Sequence, residues 1–198
     1  MKIINISFTN YQNIINQFLK NVQSMEDVIN VMFLGEPGIG KTTFLLTALN
    51  NIDYSYYSLS LLTTVREYVN GKEVILIEDK PVIVFDEATR IRELSDDYLQ
   101  FLQNRKISNV SFQNKLVIAL GNEEDTNFTI EDLPKVYLER FTIFRIKPTM
   151  NEKEQILKNL NIPSEFYEKL LKEGLSPREI HNFWKLRKIF GDSMLKGL

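Results

Sequence analysis

The stretch GEPGIGKT, residues 35–42, constrains the fold of this chain more than any other. The chain has 8 glycines, and Gly35, Gly38 and Gly40 fall inside this one window. Clustered glycines allow backbone torsions that a side chain forbids, so they predict a loop drawn tightly around a bound group. The apolar run VINVMFL at 28–34 reads as a buried strand entering the loop, and TTFLLTALNN reads as a helix leaving it. In that setting G-x-x-x-x-G-K-[ST] is a phosphate cradle. Backbone N–H groups of the loop and of the helix N-terminus point at phosphate oxygens. The cradle comprises Gly35, Glu36, Pro37, Gly38, Ile39, Gly40, Lys41, Thr42 and Thr43. Lys41 would reach the terminal phosphates, and the Thr42 hydroxyl would ligate Mg²⁺. A nucleoside triphosphate is the expected ligand.

Around this element the chain alternates. Tyr11, Ile14, Ile15, Phe18, Leu19 and Val22 recur at helical spacing. YSLSLL at 57–62 reads as a second strand, and Asn70-Gly71 as a hairpin turn. The strand PVIVFDE, the helix SDDYLQFLQNR and the strand KLVIALGN follow. Beyond FTIFRIKP the pattern is helical throughout. We therefore expect an α/β domain over 1–147, with a parallel sheet flanked by helices, and a small α-helical lid over 148–198.

Four further stretches carry chemistry. PVIVFDEA delivers Asp86 and Glu87 to the carboxyl end of a strand, where α/β sheets bind ligands. Asp86 would hold magnesium, and Glu87 would act as base on an attacking water, which points to hydrolysis. Asn122, at the tip of KLVIALGN, would orient that water or touch the γ-phosphate; a turn residue is the plain alternative. Arg140 precedes FTIFRI and could neutralise transition-state charge, in its own site or in a neighbour's. In SPREI, Ser176, Pro177 and Glu179 form a helix start, placing Arg178 in the first turn facing the phosphates. Ile180, Phe183 and Trp184 read as core, and His181 as a lid-surface residue.

Composition narrows the function class. The chain has no cysteine and one histidine, which excludes disulfides, thiol nucleophiles and histidine metal clusters. No apolar stretch spans a bilayer and no secretory leader is visible, so a cytoplasmic protein without membrane contact is expected. Residues 1–134 carry 11 basic and 18 acidic side chains, and residues 135–198 carry 13 and 8. A basic final region suits either a solvated lid or contact with nucleic acid or an acidic partner.

Taken in order, these elements resemble the AAA+ ATPases, and within them the MoxR-like branch with its McrB-type relatives. The likeness runs from about Val28 to the C-terminus. DEATR resembles that branch's DEINR, with Glu87 and Arg90 on matching positions. LPKVYLERF resembles L-P-…-D-R-F, which places Arg140 on the arginine finger. GLSPRE resembles G-x-S-P-R, which places Arg178 on sensor 2. Lys41, Thr42, Asp86, Glu87 and Asn122 take the Walker A, Walker B and sensor 1 positions. The hairpin at Asn70-Gly71 falls where the branch interrupts its second helix with an insert. Where the branch reads A-T-x-N-P, this chain has ALGNEED, with Leu120 and Glu123 in place of threonine and proline. The run from Asn122 to Asp125 is also similar to the guanine-reading N-K-x-D, which keeps GTP beside ATP as substrate.

The resemblance implies an ATP-hydrolysing, Mg²⁺-dependent motor acting as a homo-oligomeric ring or spiral, with nucleotide at subunit interfaces and a protein partner to remodel. A nucleic-acid-dependent ATPase (a loader, initiator or viral accessory) is a second expectation. A nucleotide-bound structural adaptor with little hydrolysis is a third. No recruitment domain is evident at either end of the sequence, so a nearly bare motor module is expected.

Overall fold

The computed structural model describes residues 2–61, 64–91, 95–125 and 128–191, with backbone alone at 124–125 and 128–129. The chain opens with β1 (Ile3–Ile6), α1 (Phe8–Asn21), β2 (Ile29–Gly35), α2 (Lys41–Ala48) and β3 (Tyr54–Ser58). A hairpin of β4 (Arg66–Val69) and β5 (Lys72–Ile75) comes next, then β6 (Val82–Asp86) and α3 (Asp96–Asn104). Two short strands, β7 (Lys106–Ile107) and β8 (Val110–Ser111), lead to β9 (Leu116–Asn122). After β10 (Glu124–Asp125) and β11 (Phe128–Thr129), α4 (Lys135–Leu138) precedes β12 (Thr142–Ile146). The chain ends in α5 (Met150–Asn159), α6 (Ser164–Lys172) and α7 (Pro177–Phe190).

The main sheet has six parallel strands in the order β1-β12-β2-β9-β6-β3. Its central strands are apolar on both faces, as a parallel sheet covered by helices requires. Alternate residues serve opposite cores. Val31, Phe33, Val82, Val84, Leu116 and Ile118 pack with Tyr11 and Ile15 of α1 and Leu45 of α2. Met32, Leu34, Ile83, Phe85, Val117 and Ala119 pack with Tyr98 and Phe101 of α3 and with Tyr137. The topology matters for the site because β9 lies between β2 and β6, so its tip falls between the glycine loop and the acidic pair.

Two strands of the main sheet depart from the sequence expectation. β1 was not anticipated; it is an edge strand paired with β12, and its two middle residues are exposed. The second strand is Tyr54–Ser58 rather than 57–62. Its pairing ends at Ser58 opposite Asp86, Leu59 turns into the core, and Leu61 N closes a turn onto Ser58 O at 3.0 Å. Residue 62 of the expected strand lies outside the described residues. The hairpin turn has Asn70 and Gly71 at φ 52° and 75°, the torsions a two-residue turn between twisted strands needs.

The last three helices build a cluster of their own from Leu157, Ile162, Phe166, Tyr167, Leu171 and Ile180. Thr149 with Glu152 and Ser176 with Glu179 form complete capping boxes at α5 and α7. Among the described residues, no helix is long and apolar enough to cross a membrane.

Candidate functional site

The glycine loop leaves β2 at Gly35 and turns into α2 at Lys41. Gly38 and Gly40 hold φ of 82° and 92°, where a side chain would be strained. A Cβ on Gly38 would also run into Arg178 of α7, so the arginine backbone packs directly on the loop.

Lys41 is 6% exposed. Its Nζ donates to Gly35 O at 2.8 Å, Glu36 O at 3.0 Å and Asn122 Oδ1 at 3.3 Å. Burial pulls its pKa down to about 8; Asp86, Glu36 and Glu123 oppose this, and the Arg178 charge adds to it. The Tyr11 hydroxyl donates to Lys41 O at 2.8 Å and anchors the start of α2 from α1.

Asp86 ends β6 with every oxygen engaged. Thr42 Oγ1 and Tyr56 OH donate to its Oδ2 at 3.0 and 2.6 Å, and the Glu87 N–H donates to Oδ1 at 2.8 Å. A threonine hydroxyl beside a carboxylate is the hard oxygen pair that suits Mg²⁺, so Thr42 and Asp86 fit that ion. Glu87 sits at φ 55°. Its Oε2 accepts from Ser58 Oγ at 2.5 Å and from Ser60 Oγ, and its Oε1 pairs with Arg90 Nη1 at 3.0 Å. Gly121 lets β9 close up here: a Cβ would lie 2.7 Å from Thr89 Cγ2 and 2.9 Å from Leu34 Cδ2.

Two pockets flank the loop. A polar cleft of about 850 Å³ is lined by Glu36, Arg90, Asn122, Glu123, Ser176 and Arg178, among others. An apolar pocket of about 380 Å³ lies beside Gly38–Gly40, walled by Phe8, Phe44, Ile156, Leu160 and Pro177. His181, read from sequence as a lid-surface residue, is half-buried in that wall. Burial lowers its pKa, helped by Lys185 and Lys188. Asn122 and Glu123 face the cleft, where Glu123 Oε1 lies 2.6 Å from Arg145 Nε. Helix α5 also grips the loop through Lys153 Nζ, 2.7 Å from Glu36 Oε2.

Lys41, Thr42, Asp86, Glu87, Asn122 and Arg178 thus meet at the carboxyl ends of the strands. Arg140 does not join them. Its carbonyl accepts from Asn30 Nδ2 at 2.9 Å, at the start of β2. Gly35 is five residues further along that strand, roughly 17 Å away at the usual rise. Sequence reasoning missed Tyr56, Ser58 and Ser60, whose contacts depend on β3 lying beside β6. It also missed the apolar pocket, whose walls come from α1, α2, α5 and α7.

No family model matches the sequence, and no curated protein does. Among solved structures the chain is similar to two mutants of Thermotoga maritima RuvB. One is 16% identical, covers 76% of this chain and 48% of that chain, and superposes with a TM-score of 0.52. The other is 17% identical, covers 78% and 50%, and has a TM-score of 0.50. This chain spans about half the length of those proteins. The likeness establishes the fold: an α/β architecture built on a six-strand parallel sheet flanked by helices.

Proposed function

We propose that the chain is an ATP-hydrolysing AAA+ motor module of the MoxR-like branch, working as an oligomer with nucleotide at subunit interfaces and remodelling a protein partner. The observation that supports it best is the split between the six residues gathered around the loop and Arg140 at the opposite end of the sheet. Among the described residues the Arg140 guanidinium has no hydrogen bond or ion pair, which suits a group whose partner is a neighbour's phosphate. The reading divides the chain at 147/148 into a nucleotide-binding domain and a lid.

The base would occupy the apolar pocket and the triphosphate would cross the loop toward the cleft. Lys41 would exchange its carbonyl partners for phosphate oxygens. Mg²⁺, held by Thr42 and Asp86, would neutralise charge on the β- and γ-phosphates. Asn122 orients a water in line with the γ-phosphorus, and Glu87 takes its proton as the P–O bond to the β-phosphate breaks. Glu87 cannot do so while Ser58, Ser60 and Arg90 hold both its oxygens; release of that carboxylate is part of activation. Arg178, seated on Gly38, carries the state of the phosphates to the lid.

The test is steady-state ATP turnover by the full chain at low salt, beside Glu87→Gln. Turnover that falls about 10²- to 10⁴-fold in the variant, with nucleotide binding retained, is the expected result. Tight binding with no turnover by the assembled wild type would overturn it in favour of a structural adaptor. Adding DNA assigns the partner: stimulation of about tenfold would make nucleic acid the working ligand, since charge-driven binding is strong at low salt.

A further inference from the structure

The amino end of β2 carries a polar cluster that nucleotide does not explain. Asn30 is half-buried there. Its Nδ2 donates to Leu102 O at 2.7 Å and Arg140 O at 2.9 Å, and its Oδ1 accepts from Arg105 Nη2 at 2.6 Å. Both amide hydrogens are therefore spent on carbonyls from two other elements. Arg105 is 3% exposed and lies just past α3, with φ 54°. Its Nη1 donates to Phe101 O and Leu102 O at 3.2 and 2.9 Å, and its Nη2 reaches Ile29 O at 3.4 Å. The guanidinium lies 5.5 Å from the Phe101 ring centroid. No carboxylate is among these partners, and burial holds its pKa down to about 10.

A buried cation without a counter-ion costs stability that an apolar residue of similar size would avoid. What the guanidinium supplies is direction. It can only donate, so the asparagine oxygen must face it. The asparagine NH₂ must then face the carbonyls of Leu102 and Arg140. That second contact falls before the β12–β2 ladder, which begins at Thr142 opposite Val31. Asn30 in effect continues the ladder back to Arg140 with a side chain.

We propose that Asn30, oriented by Arg105, is the positioning residue for Arg140. It sets the direction in which the arginine is presented, and it joins that direction to the strand ending in the phosphate loop. The inference rests on the reading of Arg140 as acting in the neighbouring subunit's site.

Asn30→Asp tests it. The substitution keeps an oxygen for Arg105 and gives it a counter-ion, but sets a second oxygen against the carbonyls of Leu102 and Arg140. Turnover should fall about tenfold to a hundredfold, the scale of a small misplacement, with nucleotide Kd within about twofold. Arg105→Met, which fills the space without charge and frees the Asn30 amide to turn, should produce the same defect. Each variant is then mixed with Glu87→Gln subunits, which have an intact Arg140 but cannot hydrolyse. Turnover per variant subunit should rise at least about fivefold, because a neighbour's arginine completes its sound site. Arg140→Ala is mixed in the same way. If Arg140→Ala is rescued while Asn30→Asp is not, or if both Asn30→Asp and Arg105→Met turn over as wild type, the positioning role is wrong. If Arg140→Ala itself is not rescued, the neighbouring-site reading fails, and this inference with it.

Discussion

The two ends of β2 each bury a cation that, among the described residues, has no carboxylate in direct contact, and they use it differently. At the carboxyl end Lys41 rests on the carbonyls of Gly35 and Glu36 and on Oδ1 of Asn122. At the amino end Arg105 rests on the carbonyls of Phe101, Leu102 and Ile29 and on Oδ1 of Asn30. The partners are alike in kind: carbonyls and one asparagine oxygen. The surroundings are not. Glu36 and Asn122 open onto the polar cleft, so an anion can take over the lysine. Arg105 is sealed between α3 and the sheet, where its fixed donors can only orient what they touch. One cation is held ready for a ligand; the other holds a neighbouring side chain in place.

The sharpest way to break this contrast is to remove the group that the amino end presents. Arg140→Ala should lower turnover about 10³-fold, within the span attributed to such arginines, and leave nucleotide affinity unchanged. Steady-state kinetics beside equilibrium nucleotide binding checks it, and a loss of affinity equal to the loss of turnover would erase the division of labour. The converse belongs to the loop. Gly38→Ala forces a side chain into a left-handed position against Arg178. Strain of about 1–3 kcal/mol is expected. Relieving it by distorting the loop should raise the nucleotide Kd roughly tenfold to a hundredfold. Unchanged affinity would mean that the loop does not shape the phosphate site.

The same contrast explains what the sequence could show. The carboxyl-end chemistry is written in contiguous runs: GEPGIGKT on a strand–loop–helix, and DE at the end of VIVF. Arg178 was legible because Ser176, Pro177 and Glu179 announce a helix start, and Gly38 gives that helix room to pack on the loop. Strand order was not legible. Nothing local says that β9 lies between β2 and β6, and without that order Ser58 and Ser60 have no link to Glu87. Asn30, Arg105 and Arg140 come from three separate stretches and share no motif, so only the packed corner shows them as one network. β1 escaped because four residues with an exposed middle give neither a buried run nor an alternation to read.

A smaller effect separates the two cations by pH. Lys41 without nucleotide has its pKa lowered to about 8, and bound phosphate favours its charged form, so binding takes up a proton above that pH. Affinity should be nearly flat below pH 7 and weaken about tenfold between pH 7 and 9. Arg105 stays charged over that range and adds nothing to the slope, since its pKa remains near 10. Calorimetric titration in buffers of different ionisation enthalpy counts the proton directly. A flat profile without proton uptake would show that Lys41 is already fully charged before nucleotide arrives.

The least effect is expected at a joint that serves the carboxyl end alone. Glu152 of α5 accepts from Thr149 N at 2.8 Å, and it also accepts from Thr9 N, Thr9 Oγ1 and Phe8 N at 2.8, 2.6 and 3.3 Å. One carboxylate thus caps α5 and the first turn of α1, holding Phe8 in the wall of the apolar pocket. Burial alone would raise its pKa; the donors from Thr9, Thr149 and Phe8 outweigh that and hold it at about 2, against 4.5 for a free side chain. A carboxylate with a depressed folded-state pKa adds stability that is complete above its unfolded value and disappears as pH falls through the folded one. Glu152→Ala should remove about 1 kcal/mol, the worth of a cap. For a chain of this size that lowers Tm by about 2–4 °C at neutral pH. The gap between variant and wild type should close as pH drops from 4.5 toward 2, while turnover per bound nucleotide stays unchanged. A gap that persists unchanged at acid pH would mean that the side chain stabilises by packing. A loss of turnover would mean that the joint between α5 and α1 reaches the amino end after all, through the strand that both ends share.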